Sequence, residues 1–478
     1  MYHIEVPVCN LHGKKVLLIN PPWNLQSGNI WKNVASCYPS LGLGMIASYL
    51  EHCNAKVKII DMQAVPGDES LLKNIEQPDF IGITATTVII NEAYSVAKMI
   101  RRVWNDVKIV IGGVHATIAP KEILSMPFID YVIRGEGERS FAKLIGGFSF
   151  DNIQGLAMIQ NGIYWEHSEM DFIEDLNKMP LPAYHLLPMS KYRPPLGGAL
   201  HNHSISIFSS RGCPGQCTYC NSAVTKKLRF RNPENVVSEI KHLIERYDIK
   251  EIGFYDDTFC ASPKRVKDIC KLLIKENINI TWTCMSRINY ADQETLILMA
   301  KAGCHMICYG VESADKQILK NIKKGIKLET VKNVVLMTQG VGIRTRLSFM
   351  FGNPGETIET MNKTLQFAIE TDPDLVQFNI TTPYPGTEMY QWAKKKGYLL
   401  TENWSEYDLY NVVMDLPTVT PDQIKKFYHY AYRKFFLRFG FFKRFIFNIV
   451  KNPLLFKNSV IESFILFKKI ITRVKNYV

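Results

Sequence analysis

The chain has 478 residues, 46% hydrophobic and 21% charged; that balance excludes a largely disordered protein and supplies apolar side chains for more than one core, so two packed domains and an appendage are expected. The formal charge of +12 does not mark a nucleic-acid binder, because residues 421–478 hold thirteen Lys or Arg against only Asp422 and Glu462. The 11 cysteines are odd in number, no charged start followed by a long apolar run opens the chain, and no run reaches the roughly 18–20 apolar residues of a spanning helix, which together predict a reducing, cytoplasmic setting and no transmembrane helix.

Residues 1–145 alternate short apolar runs with helical patterns. Val16–Ile19, Val57–Ile60, Phe80–Ile83, Ile109–Ile111 and Tyr131–Ile133 read as buried strands, and Leu43–Glu51 and Ala93–Trp104 as helices between them. Such alternation implies an α/β domain with a parallel sheet covered on both faces and its ligands beyond the strand carboxyl ends. Residues 146–204 collect Pro180, Pro182, Pro188, Pro194 and Pro195 and read as an inter-domain connection. A second alternation fills 205–390, with strands at Ser206–Ser210, Glu251–Tyr255, Thr281–Arg287, Met306–Glu312, Arg344–Phe351 and Val376–Thr382 separated by helical patterns. Six such units make a partial (β/α)6 TIM barrel, whose strand ends and following loops hold the chemistry.

Directly after the first barrel strand stands Arg211-Gly212-Cys213-Pro214-Gly215-Gln216-Cys217-Thr218-Tyr219-Cys220, with three thiols in eight residues. Cubane clusters normally take four thiolates, so three close ligands without a nearby fourth suggest one iron left open to a small molecule. A zinc site completed by a distant histidine, or unrelated buried thiols, are the plainer readings. The spacing Cys-x3-Cys-x-aromatic-Cys resembles the radical S-adenosylmethionine (SAM) superfamily. That resemblance implies a 4Fe-4S cluster on Cys213, Cys217 and Cys220 whose fourth iron chelates SAM, reductive formation of a 5'-deoxyadenosyl radical, and Tyr219 against the adenine. It further implies SAM contacts from Asp256 and Asp257, which depart from the family's usual Gly-Gly-Glu element, from Ser286 and Arg287, and from Glu312 and Ser313. As strand-end polar groups these could equally cap helices. Gly352-Asn353-Pro354-Gly355-Glu356 and Pro383-Tyr384-Pro385-Gly386-Thr387 read as architectural turns. The sequence singles out no further catalytic side chain.

In the first domain, Thr84-Ala85-Thr86, Gly112-Gly113-Val114-His115 and Gly135-Glu136-Gly137-Glu138 follow three successive strands. Small residues there let a bulky ligand approach backbone, and hydroxyls can meet its polar groups. With Pro21-Pro22 and Tyr38-Pro39-Ser40-Leu41-Gly42-Leu43, the pattern over residues 14–390 resembles a Rossmann-like cobalamin-binding domain joined to a radical SAM barrel, as in anaerobic magnesium-protoporphyrin ester cyclases and hopanoid methylases. It implies cobalamin contacts from Thr84, Thr86, Gly112, Gly113, His115, Gly135 and Glu136. Because the Asp-x-His-x-x-Gly element is absent around His52 and His115, cobalt is expected to lack a histidine ligand. Cys260, Cys270, Cys284, Cys304 and Cys308 read as core thiols.

Residues 391–478 form a basic, aromatic α-helical appendage. On a helix, Phe435, Phe439, Phe442, Ile446 and Ile449 share one face, flanked by Arg438 and Lys443, with Arg444 opposite. Past Pro453, a second stripe of Val460, Phe464, Phe467, Ile471 and Val474 faces Lys469 and Arg473. Such faces suit a membrane surface, peripheral to its inner side, or a lid on the barrel. The resulting expectation is a cobalamin-dependent radical SAM enzyme that methylates, rearranges or cyclises an unactivated carbon of a hydrophobic, lipid or isoprenoid-like substrate, with a flavodoxin- or ferredoxin-type electron donor. Two alternatives are a transfer-RNA methylthiotransferase with a second cluster on Cys9, Cys37 and Cys53, and a non-catalytic membrane-associated iron-sulfur binding or sensor protein.

Overall fold

A computed structural model describes residues 4–23, 36–194, 198–220 and 227–451. Pro195, Pro453 and the second C-terminal stripe lie outside the described residues, as do the side chains of Phe442 and Ile449. The chain divides into two compact units, one taking in the described residues 4–23, 37–192 and Asn403–Ser405, the other the remaining described residues.

The first unit is built on seven strands, β1 (Lys15–Asn20), β2 (Lys56–Asp61), β3 (Phe80–Thr84), β4 (Lys108–Gly112), β5 (Tyr131–Ile133), β6 (Leu156–Gln160) and β7 (Ile163–Glu166), in the order β2-β1-β3-β4-β5-β6-β7. The first five are parallel. β1 reads as an unbroken apolar run because each face meets its own core: Val16 and Leu18 pack with Leu43, Ala47 and Phe141, and Leu17 and Ile19 with Ile90, Ala93 and Ile109. Helices Leu41–His52 and Ile90–Val103 cover the sheet as the periodicity predicts. The order in which strands are added reverses at β1, with β2 on one side and β3 on the other, which is where an open parallel sheet forms a crevice beyond its carboxyl ends.

The segment 146–204, expected to be a connection, instead supplies the antiparallel β6–β7 hairpin and keeps Ile173, Leu176 and Met179 in the first core. Asn161 (φ 51°) and Gly162 (φ 76°) make the two left-handed residues of a tight hairpin turn, an Asn-Gly signal that the prolines downstream obscure.

The second unit carries a six-stranded parallel sheet, β8 (Ser204–Ile207), β11 (Glu251–Phe254), β12 (Thr281–Arg287), β13 (Cys304–Glu312), β14 (Arg344–Phe351) and β15 (Leu375–Ile380), in sequential spatial order. Between β8 and β11 the chain makes a small antiparallel pair, β9 (Ser210–Arg211) with β10 (Arg229–Phe230). The strand expected over Ser206–Ser210 therefore breaks in two. The cause is Asp256, buried after β11, which accepts hydrogen bonds from Ser209 N (2.7 Å), Ser209 Oγ (2.5 Å) and Ser210 Oγ (2.6 Å) and draws the chain out of the sheet.

The appendage is partly barrel wall. Helix Pro421–Phe436 covers the edge strand β15, where Tyr432 Oη donates to Phe378 O (2.9 Å) and accepts from Phe378 N (3.0 Å), and Phe435 is fully buried. An uncovered edge would present unpaired backbone groups, so this helix completes the sheet. Phe435 thus leaves the proposed outward stripe. Arg438 leaves its flank as well: it donates to Ile369 O (2.8 Å) and pairs with Asp372, which also pairs with Arg444. Phe439, Ile446 and Val450, on helix Phe439–Lys451, stay exposed. Among the described residues no helix is long and apolar enough to cross a membrane.

Candidate active site

The cysteine loop starts where β9 ends and is pinned at its centre. Thr218 N donates to Ile322 O (3.1 Å), Met389 N donates to Thr218 O (2.9 Å), and Cys220 N donates to Cys217 O (3.2 Å). Anchored backbone on both sides of Thr218 fixes where Cys217 and Tyr219 stand. All three cysteines are free thiols. Gly215 N points at Cys213 Sγ (3.4 Å), and Arg287 Nη1 at Cys217 Sγ (3.5 Å). A Cβ on Gly215 would lie 2.9 Å from that guanidinium, so glycine is what lets the arginine close on the loop. Burial pushes the Cys213 thiol up, opposed by the Gly215 N–H.

Cys213, Cys217, Cys220 and Tyr219 line one cavity of about 310 Å³ together with Asp257, Ser286, Arg287 and Glu312 from the strand ends. These are most of the side chains anticipated for SAM, gathered from four separate segments. Asp257 is pushed up by burial and then by its neighbour Asp256. Glu312, at φ 73°, pairs with Lys324 Nζ at 2.8 Å, both largely buried, and Lys324 Nζ also lies 3.4 Å from Tyr219 Oη.

Two anticipated SAM contacts are not in this group. Asp256 spends its carboxylate on Ser209 and Ser210, with Arg265 3.5 Å away. Ser313 is fully buried, its Oγ 3.3 Å from Thr364 Oγ1 and accepting from Asp315 N. Both hold loops rather than face the cavity.

Lys324, Arg346, Ser348 and Gln377 line the same cavity and were missed. Lys324 sits in Lys323-Lys324-Gly325, which reads as a solvated loop. For Arg346 and Ser348 a signal existed: in β14 the polar residues Arg344, Arg346 and Ser348 alternate with Thr345, Leu347 and Phe349, and the latter three are buried. In a barrel whose outer face is covered by helices, the polar set must face the lumen.

The nine charged and thiol groups of the cavity, among them Cys308, which was expected as a core thiol, suit a cubane with a bound sulfonium amino acid. Three thiols in one loop suit a cubane, which takes each thiolate on a separate iron and leaves the fourth iron to another ligand. Arg287 and Lys324 can meet a carboxylate, and Asp257 and Glu312 an ammonium or ribose hydroxyls.

In the first unit, β3 and β4 end in small residues. Gly113 (φ 102°) packs so closely on the neighbouring strand that a Cβ would sit 2.7 Å from Ala85 O, whereas a Cβ on Gly112 would meet nothing closer than Ile133 O at 3.8 Å. Thr86 is exposed and Thr84 half-buried beside them. This cradle fits a broad ligand lying over backbone. His115 does not belong to it: fully buried, it meets Thr87 Oγ1 (3.2 Å), lies 3.6 Å from Glu122 and packs its ring against Trp404. His52 is occupied by Glu5 O (2.8 Å). Glu136 is spent on Ile173 N (2.8 Å), and Gly135 takes the left-handed turn before it. Of the three N-terminal cysteines, Cys9 and Cys53 are hydrogen-bonded neighbours, while Cys37 is buried near Tyr192.

Comparison with known proteins agrees with this division. The radical SAM superfamily matches residues 207–368, and the B12 binding domain matches residues 30–145. An uncharacterized methyltransferase of Pyrococcus horikoshii is 37% identical over 439 residues, covering 89% of this chain and 93% of that protein. The anaerobic magnesium-protoporphyrin IX monomethyl ester cyclase of Rubrivivax gelatinosus is 27% identical, covering 86% of this chain and 74% of its own. The radical SAM methyltransferase TsrM from Kitasatospora setae, solved with cobalamin and a 4Fe-4S cluster bound, shares the fold with a TM-score of 0.68 at 19% identity, covering 87% of this chain and 88% of that one.

Proposed function

Since this chain belongs to the cobalamin-dependent radical SAM enzymes, which work with a 4Fe-4S cluster, SAM and cobalamin, we propose that it methylates an unactivated carbon of a hydrophobic substrate, with Cys213, Cys217 and Cys220 as the cluster ligands. The observation that carries the assignment is the single cavity in which those thiols meet Arg287, Glu312 and Lys324. When bound, the cluster and SAM supply reductive carbon-sulfur cleavage, and cobalamin supplies a methyl carrier. The residues of the chain do the remaining work. Arg287 holds the amino-acid end of SAM beside the thiolates, Asp257 and Ser286 complete that grip, and Glu312, positioned by its pairing with Lys324, takes the ribose. Tyr219 lies on the adenine. Thr84, Thr86, Gly112 and Gly113 would hold cobalamin over the backbone at the carboxyl ends of β3 and β4.

A flavodoxin- or ferredoxin-type donor delivers the electron. The exposed Phe439, Ile446 and Val450 with Lys443 support docking at a membrane surface, where a lipid-like substrate would be met. Ring closure or rearrangement is the second reading, favoured by the 27% identity to the cyclase. Anaerobic reconstitution tests the proposal: about four irons per chain with a corrinoid spectrum, and release of both 5'-deoxyadenosine and S-adenosylhomocysteine with SAM and a reductant, are expected. About eight irons, or neither product from fully loaded protein, would sink it, and 5'-deoxyadenosine alone would point to cyclisation.

A further inference from the structure

One short helix, Val114–Ile118, ties together the three small-residue turns of the first unit. His115 N donates to Ala85 O (3.1 Å) just beyond β3, Thr117 Oγ1 donates to Gly113 O (2.9 Å) beyond β4, and Gly135 N beyond β5 donates to Thr117 Oγ1 (3.0 Å). Where this helix stands therefore decides where the backbone of all three strand ends stands. A helix of five residues makes too few internal hydrogen bonds to hold its own position. Its place must come from what it packs against.

On the buried side of the helix that partner is Trp404. The indole meets the fully buried His115 ring at 5.6 Å between centroids and 63° between planes. Its Nε1 donates to Glu122 Oε1 (2.9 Å), the same oxygen that lies 3.6 Å from His115 Nε2 and accepts from Tyr94 Oη at 3.3 Å. The ring also packs on the core that contains Ile111, Ala116 and Ile123. Trp404 belongs to a three-residue segment, Asn403–Ser405, that follows the barrel strands in sequence yet is part of the first unit. Asn91 Nδ2, at the start of helix Ile90–Val103, donates to Asn403 Oδ1 (3.2 Å) and to Ser405 Oγ (3.0 Å), one on each side of the tryptophan. So clipped, the indole is fixed over His115 from a point in the chain far beyond the domain it completes.

We propose that Trp404 is a positioning residue for cobalamin: acting through His115 and Glu122, it holds helix Val114–Ile118, and with it the ends of β3, β4 and β5, where the corrin lies over their backbone. This rests on the cobalamin reading above. The test compares the parent chain with Trp404→Ala, Trp404→Phe and Asn91→Ala by three measurements: hydroxocobalamin titration followed by absorbance, deuterium uptake of the apoprotein over residues 112–119, and urea unfolding. Trp404→Ala is expected to bind hydroxocobalamin about tenfold or more weakly, the size of one hydrogen bond to a charged group, and to take up deuterium faster over residues 112–119 than the parent. Iron content and the SAM-induced change in the cluster spectrum should stay as in the parent. Trp404→Phe keeps a ring over His115 and loses only the Nε1 bond, so it should fall between the two. Asn91→Ala alters an exposed side chain that touches neither the helix nor the strand ends; it should weaken binding about threefold at an unchanged urea midpoint, and it carries the test if Trp404→Ala does not fold. Parent-like affinity in Trp404→Ala and Asn91→Ala overturns the proposal, whether or not deuterium uptake rises. A loss of affinity without faster uptake over residues 112–119 also overturns it, because the indole would then be acting on the corrin directly. Uptake that rises equally in peptides of the barrel overturns it as general destabilisation. A parent chain that binds no hydroxocobalamin overturns the cobalamin reading and the proposal together.

Discussion

The two units build their candidate sites in opposite ways. In the barrel, the cavity is crowded with side chains that carry charge or sulfur, drawn from the cysteine loop, the ends of β11 to β13, and the lumen of β14 and β15. At the carboxyl edge of the first sheet the useful feature is missing bulk: Gly112 and Gly113 with two threonines, and a histidine turned inward to Thr87 and Trp404. One site therefore fails by losing a functional group, and the other by gaining a carbon atom.

The largest effect should come from the thiols. Cys217→Ala is expected to bring iron from about four per chain to near zero and 5'-deoxyadenosine below detection, whereas Cys270→Ala, a buried thiol behind the barrel wall, should keep both. Iron analysis and product chromatography read the difference. Equal loss in the two variants would break the distinction between cluster ligand and core thiol. Next is the buried pair. Lys324→Met strands the Glu312 carboxylate in a site where both groups are more than nine-tenths buried, which costs about 3–5 kcal/mol in urea unfolding. Lys324→Met with Glu312→Leu should recover most of that stability but not the SAM-induced change in the cluster spectrum. Recovery of both would make the pair purely structural.

How much of this was legible follows the same contrast. The cysteine triad is local in sequence, so its spacing is visible without any fold, and β1, β3, β4 and β5 show as apolar runs because a parallel sheet buried on both faces leaves no alternation to misread, whereas the edge strand β2 alternates exposed Lys56 and Lys58 with Val57. Lys324 was invisible because a lysine beside Lys323 and Gly325 carries no mark of burial; only the approach of Glu312 from β13 makes it a site residue. Asp256 and Asp257 differ by one position, and sequence alone could not say which turns inward. The backbone does, by spending Asp256 on Ser209 and Ser210. His115 read as a cobalamin contact because it follows two glycines at a strand end, yet it is buried beside Thr87, Glu122 and Trp404.

Glu356 sharpens the comparison from inside the barrel unit, as a buried charge that lies outside the cavity. It accepts from Gly352 N (3.0 Å), Asn353 N (2.9 Å) and Asn353 Nδ2 (3.0 Å), yet burial pushes its carboxyl from 4.5 up to about 7. The native state then holds a proton that the unfolded chain releases, so this group's contribution is full below about 4.5 and is lost as pH rises toward 7, by about 1.4 kcal/mol per pH unit. Glu356→Gln should flatten the fall in stability across that window, measured by urea unfolding, and leave SAM cleavage within about twofold, since it touches no cavity group. An unchanged pH profile would mean that the three N–H donors, not burial, set its ionisation.

The smallest effects belong to the glycine edge, and there the sign of the comparison is decided. Gly113→Ala must place a methyl group 2.7 Å from Ala85 O at a φ of 102°, so it should cost about 1–3 kcal/mol of stability through backbone strain, with or without corrinoid. Gly112→Ala makes only an ordinary contact, 3.8 Å from Ile133 O, and should unfold like the parent apoprotein to within about 0.5 kcal/mol. If cobalamin lies on this backbone, the added methyl still occupies the surface the corrin needs, and corrinoid retained after gel filtration should fall although the fold is intact. Full retention in Gly112→Ala would remove the β4 end from the cobalamin contact, because no loss of folding would remain to explain a difference and no side chain there could substitute for the lost approach.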